Sequence, residues 1–187
     1  IIYERLKKLP NTLLHILKMA SMIHSSFTID NIVFLSDING AQIRNLLDIA
    51  VEESLVSIEN RETGIYAFVH DAVILELSKM LRDDERKVLH LKIAQMLQKS
   101  DSGKTSIEKN IFEIVSHLNA SIDLITDVSE KVQVAWLNLT AAKKSIVSGG
   151  YLHAAKFCET GIGILPENAW EKEYKLTLEL KSAAAEA

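Results

Sequence analysis

The sequence is short of chain breakers. Seven glycines and two prolines in 187 residues are roughly half the share of an ordinary soluble chain. Pro10 and Pro166 bracket a long stretch with no proline at all. That scarcity excludes an all-β sandwich or barrel with frequent tight turns, and the chain reads as mainly helical. A single cysteine, Cys158, permits no internal disulfide. Basic residues are not in excess: 21 Lys and Arg against 25 Asp and Glu give a net charge of −4, so no electrostatic footprint for nucleic acid or an anionic membrane is present. There is no charged-then-apolar leader and no uninterrupted apolar run of membrane-spanning length. The expected setting is a reduced cytoplasm, without a membrane partner. What the chain does have is 48% apolar residues, which supply a core and exclude wholesale disorder.

The apolar residues are arranged mostly at helical spacing. After a first segment ending at Leu9, Pro10 suits the first turn of a helix, whose buried face is Leu13, Leu14, Leu17 and Ala20. Thr28-Ile29-Asp30-Asn31 opens a short helical turn, and Asn39-Gly40 opens a third helix with Ile43, Leu46, Leu47, Ala50 and Val51 inside. The period then changes. Leu55-Val56-Ser57-Ile58 and Ile65-Tyr66-Ala67-Phe68-Val69 are β-rich runs around a polar stretch ending in Gly64, the pattern of a hairpin. Three helices followed by a two-stranded hairpin is the layout of a winged helix, over about residues 10–70.

From His70 onward the pattern is helical throughout. Asp71 to Leu81 reads as one helix, and Asp83-Asp84-Glu85 caps another with the stripe Leu89, Ile93, Met96 and Leu97. A polar loop is expected at 100–107. Beyond it come the stripe Ile107, Ile111, Ile114, Val115 and Leu118, and a longer helix with Val132, Ala135, Trp136, Leu139 and Ile146 on one side. Gly149-Gly150 breaks that helix; the next ends at Ile164-Leu165-Pro166 and hands over to a last one containing Tyr174 and Leu178. Ala154, Cys158, Gly161 and Pro166 resemble in full the spacing of the second helix of a tetratricopeptide unit. The turn before it is two residues longer than in that repeat, and Cys158 stands where an aromatic is usual. The expected fold is therefore mainly α: a winged-helix domain with one small β-hairpin at 1–82, then an antiparallel, tetratricopeptide-like helical domain at 83–187. The terminal Ala183-Ala184-Ala185-Glu186-Ala187 carries no stop signal, so that domain is read as truncated at its C-terminus.

Most chemical motifs fail on spacing or charge. Ser102-Gly103-Lys104-Thr105 ends like a phosphate-binding P-loop, but the glycine required five residues before Gly103 is replaced by Gln98, and a helix rather than a strand precedes it. Between Gly40 and Val69 the only basic residues are Arg44 and Arg61, against Asp48, Glu52, Glu53, Glu59 and Glu62. A recognition helix with that balance repels phosphate, which argues against nucleic acid. Histidines 15, 24, 70, 90, 117 and 153 show no pair at metal-ligand spacing. No metal site and no catalytic residues are assigned, and the segment itself is not expected to be an enzyme. His70 differs in its place. Phe68-Val69-His70-Asp71 sets a histidine and an acid where the second strand of the hairpin turns into a helix, with Asp71 able to cap it and the local N–H groups favouring an anion.

Phe68-Val69-His70-Asp71 resembles the Met-His-Asp motif in the winged helix of STAND-class signalling ATPases. The wider pattern resembles the helical region after the ATPase core of large multidomain sensor kinases. It is carried by Leu9-Pro10 with Leu14 to Ala20, by Arg86 to Ala94, and by Phe112-Glu113-Ile114-Val115-Ser116-His117-Leu118-Asn119. Leu137-Asn138-Leu139, Ala141 to Ser145, and Trp170 with Tyr174 continue it. Ala72-Val73-Ile74 departs from the more polar sensor-kinase pattern. The resemblance implies a switch component: an upstream P-loop domain of the same chain binds ATP or ADP, and the motif histidine, here His70, touches the phosphate end of ADP while Asp71 orients the loop. The segment itself would hold no cofactor, and its helical array would bind a protein partner. A DNA-binding transcriptional regulator and a plain protein-interaction scaffold are the alternatives.

Overall fold

The computed structural model describes residues 2–99 and 104–187. The chain divides into two compact units, Ile1–Met96 and Leu97–Ala187. The first contains α1 (Ile2–Leu6), α2 (Asn11–Ser21), β1 (Ser26–Thr28), α3 (Ile29–Leu35), α4 (Gly40–Glu52), β2 (Val56–Asn60), β3 (Ile65–Phe68), α5 (Asp71–Lys79) and most of α6 (Asp83–Lys99). No helix among the described residues is long and apolar enough to cross a membrane.

Local chemistry sets these boundaries. Pro10 stands at the N-cap of α2 in an extended conformation and its carbonyl accepts the Leu14 N–H at 2.9 Å. Thr28 and Asn31 form a reciprocal capping box at the start of α3: the Thr28 hydroxyl accepts from Asn31 N at 3.1 Å, and the Asn31 side chain accepts from Thr28 N at 2.9 Å. Asn39 caps α4 by accepting from Gln42 N at 2.9 Å. At its other end α4 stops with Ser54 in the left-handed region (φ 52°) and the Leu55 N–H bonded back to the Ala50 carbonyl, a Schellman closure.

The hairpin gains a strand that periodicity did not show. Ser26–Thr28 pairs antiparallel with β3 in the register Phe27↔Tyr66, and β2 pairs with the other edge in the register Ile58↔Tyr66, with a bulge between Ile58 and Asn60. The sheet is thus three-stranded, in the order β1-β3-β2. A three-residue strand offers one apolar position, too few to display an alternation. Phe27, Tyr66 and Phe68 form the aromatic face, with the Phe27 and Tyr66 rings stacked at 6.0 Å. Leu6, Leu13, Ile16, Leu17, Ile32, Ile43, Leu47 and Leu77 complete a core of large aliphatics, all at 0% exposure. Gly64, at φ +66°, closes the turn where its carbonyl accepts the Ile29 N–H at 3.1 Å, and a Cβ there would stand 3.2 Å from Ile29 Cδ1.

The sequence reading places a boundary at 82/83, and the first compact unit of the structure runs on to Met96, taking in most of α6. Leu89, Ile93, Ala94 and Met96 are buried. Lys92 Nζ donates to the Leu35 carbonyl at 3.2 Å and Asn31 Nδ2 to Met96 Sδ at 3.5 Å, so both ties run to α3.

The second unit holds α7 (Lys104–Ala120), a 3-10 turn (Ile122–Leu124), α8 (Val128–Val147), α9 (Tyr151–Gly163), α10 (Ala169–Lys172) and α11 (Tyr174–Glu186). Two sequence expectations are corrected here. Of the loop expected at 100–107, residues 100–103 lie outside the described residues and 104–107 are already helical, because the stripe from Ile107 to Leu118 supports a helix that extends one turn upstream. Trp136 is 38% exposed rather than part of the core. The buried face of α8 is centred on Ala135, Asn138, Leu139, Ala142 and Ser145, and small residues opposite leave no room there for an indole. The last helix, α11, contains Tyr174 and Leu178 as expected, and the four-residue α10 precedes it.

Small residues let these helices close up. Ala154, Cys158, Leu176, Leu180 and Ala183 pack with Ala135, Leu139 and Ala142 in one cluster. Gly161 is its tightest point: an added Cβ would lie 2.9 Å from Leu180 Cδ2 and 3.2 Å from Asn138 Cβ. Asn138, fully buried, exchanges two amide hydrogen bonds with Asn119, each 2.9 Å, and donates to the Val134 carbonyl at 3.0 Å. This satisfied pair fixes the register of α7 on α8.

Candidate functional site

His70 and Asp71 sit where β3, the central strand, runs into α5. The strand is held on both sides to its last residue. Phe68 N donates to the Ser25 carbonyl at 2.9 Å and Val69 N to the Leu55 carbonyl at 3.1 Å. Alternation along it buries Tyr66 and Phe68 and turns Val69 outward, 40% exposed. The chain then enters α5 through His70, which occupies the N-cap in extended conformation (φ −144°, ψ 138°). Its carbonyl accepts the Val73 N–H at 2.9 Å, and burial of Val73 and Leu77 anchors the helix.

The sequence reading made Asp71 the cap; in the structure His70 holds that position and Asp71 is the first helical residue, with no side-chain cap bond from His70. Both side chains are exposed. Among the described residues neither the His70 ring nor the Asp71 carboxylate has a hydrogen-bond or ion-pair partner. An imidazole in that position is free to donate an N–H to an anion arriving from outside, beside backbone N–H groups of a helix start. Leu75, on the outer face of α5, is 55% exposed. The sequence signal for it was available: Leu75 falls on the face opposite Val73 and Leu77.

The remaining candidates resolve by geometry. On α4 the exposed residues are Ala41, Gln42, Asn45, Asp48 and Glu52, while half-buried Arg44 donates to the Arg61 carbonyl at 3.3 Å. Arg44 is thereby engaged within the fold, Arg61 contributing its backbone carbonyl, and the outward face of α4 carries acid. Arg5 is likewise bound to Glu53, by a hydrogen bond to its carbonyl and an ion pair at 3.6 Å to its carboxylate. Cys158 is fully buried, and burial pushes its thiol pKa up, away from the reactive thiolate. Among the described residues no group of three or more His, Cys, Asp and Glu side chains could hold a metal ion.

No family model matches the chain, and no solved structure matches it. It is similar to hybrid signal transduction histidine kinase G of Dictyostelium discoideum, at 22% identity over 211 residues. The similarity covers 87% of this chain and 6% of that protein, so the chain spans only a small part of its curated relative.

Proposed function

We propose that the chain is a non-catalytic regulatory segment of a STAND-type signalling ATPase within a large sensor kinase. In this reading the first unit is a winged helix, the second begins a tetratricopeptide-like array, and His70 reads the phosphate end of ADP held by an upstream P-loop domain of the same chain. The observation that carries it is the exposed, unpartnered His70-Asp71 pair at the β3–α5 junction. An imidazole N–H that meets a diphosphate but fits a triphosphate differently gives the two nucleotide states different domain packings, and so couples nucleotide to conformation.

Three further observations support the reading. Helix, short strand, two helices and a hairpin, closed as a sheet in the order β1-β3-β2, is the element order a winged helix requires. Ala154, Cys158 and Gly161 are buried where α9 meets α8 and α11, as the close helix approach of a tetratricopeptide-like array demands. The relative's name is that of a signalling kinase. Such a segment works in the cytoplasm and holds no nucleotide of its own. Its partners are the nucleotide domain and a protein on the helical array. The acidic outer face of α4 disfavours the DNA-binding alternative.

Titration of the isolated chain with ADP and with ATP in a calorimeter is expected to give no heat of binding; micromolar affinity would overturn the assignment of the nucleotide to another domain. A gel-shift assay at low salt is expected to show no shift with duplex DNA. A P-loop in the residues preceding Ile1 of the parent protein distinguishes the reading from a plain scaffold.

A further inference from the structure

A groove of about 310 Å³ opens on the second unit among α7, α8 and α9, lined by Phe112, Ser116, Ser145, Ser148, Gly150, His153 and Phe157. Its walls are apolar. The Phe112 and Phe157 rings lie side by side, 6.0 Å between centroids and 22° between planes. Its inner end is polar: Ser145 is 3% exposed, lines the groove, and among the described residues its hydroxyl has no hydrogen-bond partner. Two other hydroxyls in and at the end of α8 behave otherwise. Ser148 Oγ donates to the Lys144 carbonyl at 3.0 Å and Thr140 Oγ1 to the Trp136 carbonyl at 3.0 Å, the usual resting place of a helical hydroxyl. A buried hydroxyl left without that bond is costly, and here it faces an opening. The rim carries one cation and one imidazole: the Lys144 ammonium stands 5.4 Å from the centroid of the Phe112 ring and donates to the Glu108 carbonyl at 2.6 Å, and His153 lines the opening; no lining residue is acidic.

We infer that this groove receives a tyrosine from an acidic segment of a partner protein. The ring lies against Phe112 and Phe157, its hydroxyl bonds to Ser145 Oγ, and carboxylates on either side of the tyrosine meet Lys144 and His153. A phenol is the group that combines a flat apolar body with one terminal atom able to donate or accept. The volume sits at the bottom of the range of small-ligand sites, about 300–1,000 Å³, and suits one side chain rather than a large cofactor. The rim charges add complementarity and on-rate for an acidic segment. None of this depends on His70 or on the nucleotide reading.

The test uses the 187-residue chain and two fluorescein-labelled pentapeptides, one with a tyrosine between pairs of glutamates and one with phenylalanine in its place. Fluorescence polarisation is expected to show saturable binding with the tyrosine peptide about fivefold tighter, the worth of one buried hydrogen bond. Ser145→Ala is expected to abolish the difference between the peptides, and His153→Asp to weaken both. Absence of saturable binding to the unmodified chain, equal affinity for the two peptides, or a preference that survives Ser145→Ala would each overturn the proposal. N-acetyltyrosine amide competing as tightly as the peptide would assign the groove to a small molecule and overturn the protein partner.

Discussion

In the first unit the fully buried positions belong mostly to large side chains, Leu6, Leu13, Ile16, Leu17, Ile32, Ile43, Leu47, Tyr66 and Leu77, with Ala20, Ala50 and Ala94 beside them, while around α8 and α9 they belong largely to Ala135, Ala141, Ala142, Ala154 and Cys158. A three-stranded sheet and short helices leave wide gaps that only big residues fill. Long antiparallel helices instead gain contact area by approaching closely, and each removed methyl group shortens the distance. The two units should therefore fail in opposite ways: the first when a side chain shrinks, the second when one grows.

Leu17→Ala is expected to have the largest effect, about 3 kcal/mol of lost stability in the first unit, since the cavity it leaves is flanked by other fully buried aliphatics. Urea unfolding followed by hydrogen exchange in each unit would read it. Next is Gly161→Leu, expected to cost the second unit about 2 kcal/mol by forcing α9 away from Leu180 and Asn138. Gly161→Ala should be nearly neutral, because a helix-propensity gain of about 1 kcal/mol offsets displacement of the Leu180 tip. If Gly161→Leu left the second unit as stable as before, the contrast between the units would be lost.

A smaller pair compares one motif across the units. Helix α4 and helix α8 both end in a Schellman closure, the first through Ser54 at φ 52° and the second through Gly149 at φ 74° with Gly150 N bonded to the Ser145 carbonyl at 2.7 Å. Ser54→Gly is expected to raise the midpoint of the first unit and Gly149→Ser to lower that of the second, each by up to about 1 kcal/mol. The smallest effect concerns pH. Burial, then the Arg86 charge, lowers the His90 pKa below its ordinary 6.5, so the folded state binds this proton less tightly than the unfolded chain. Stability should fall as pH drops below that ordinary value toward the folded one, and His90→Gln should flatten the slope in a pH series of thermal melts.

The helices were legible because their apolar residues recur at the helical period over several turns: Ile111, Ile114, Val115 and Leu118 all lie inside. What escaped was short or non-local. Ser26–Thr28 is a strand only because β3 pairs with it, and α6 is claimed by the first unit through contacts to Asn31 and Leu35. Trp136 misled because an aromatic at helical spacing scores as apolar whatever lies opposite it. At the site, the junction position of His70 and Asp71 could be read from the change of period after Phe68. Their exposure could not, since it depends on which edges of β3 and faces of α5 other elements cover. The Phe112–Phe157–Ser145 groove left no local signal, because three helices contribute to it.

The measurement that bears most directly on the proposed role is the dissociation rate of ADP from the full-length protein that carries this segment, with and without His70→Ala. The side chain is exposed and makes no hydrogen bond within its own unit, so its removal leaves the fold intact. Release about tenfold faster in the variant is expected, a typical size for a coupling between sites. An unchanged rate would contradict the account and remove His70 from any nucleotide switch.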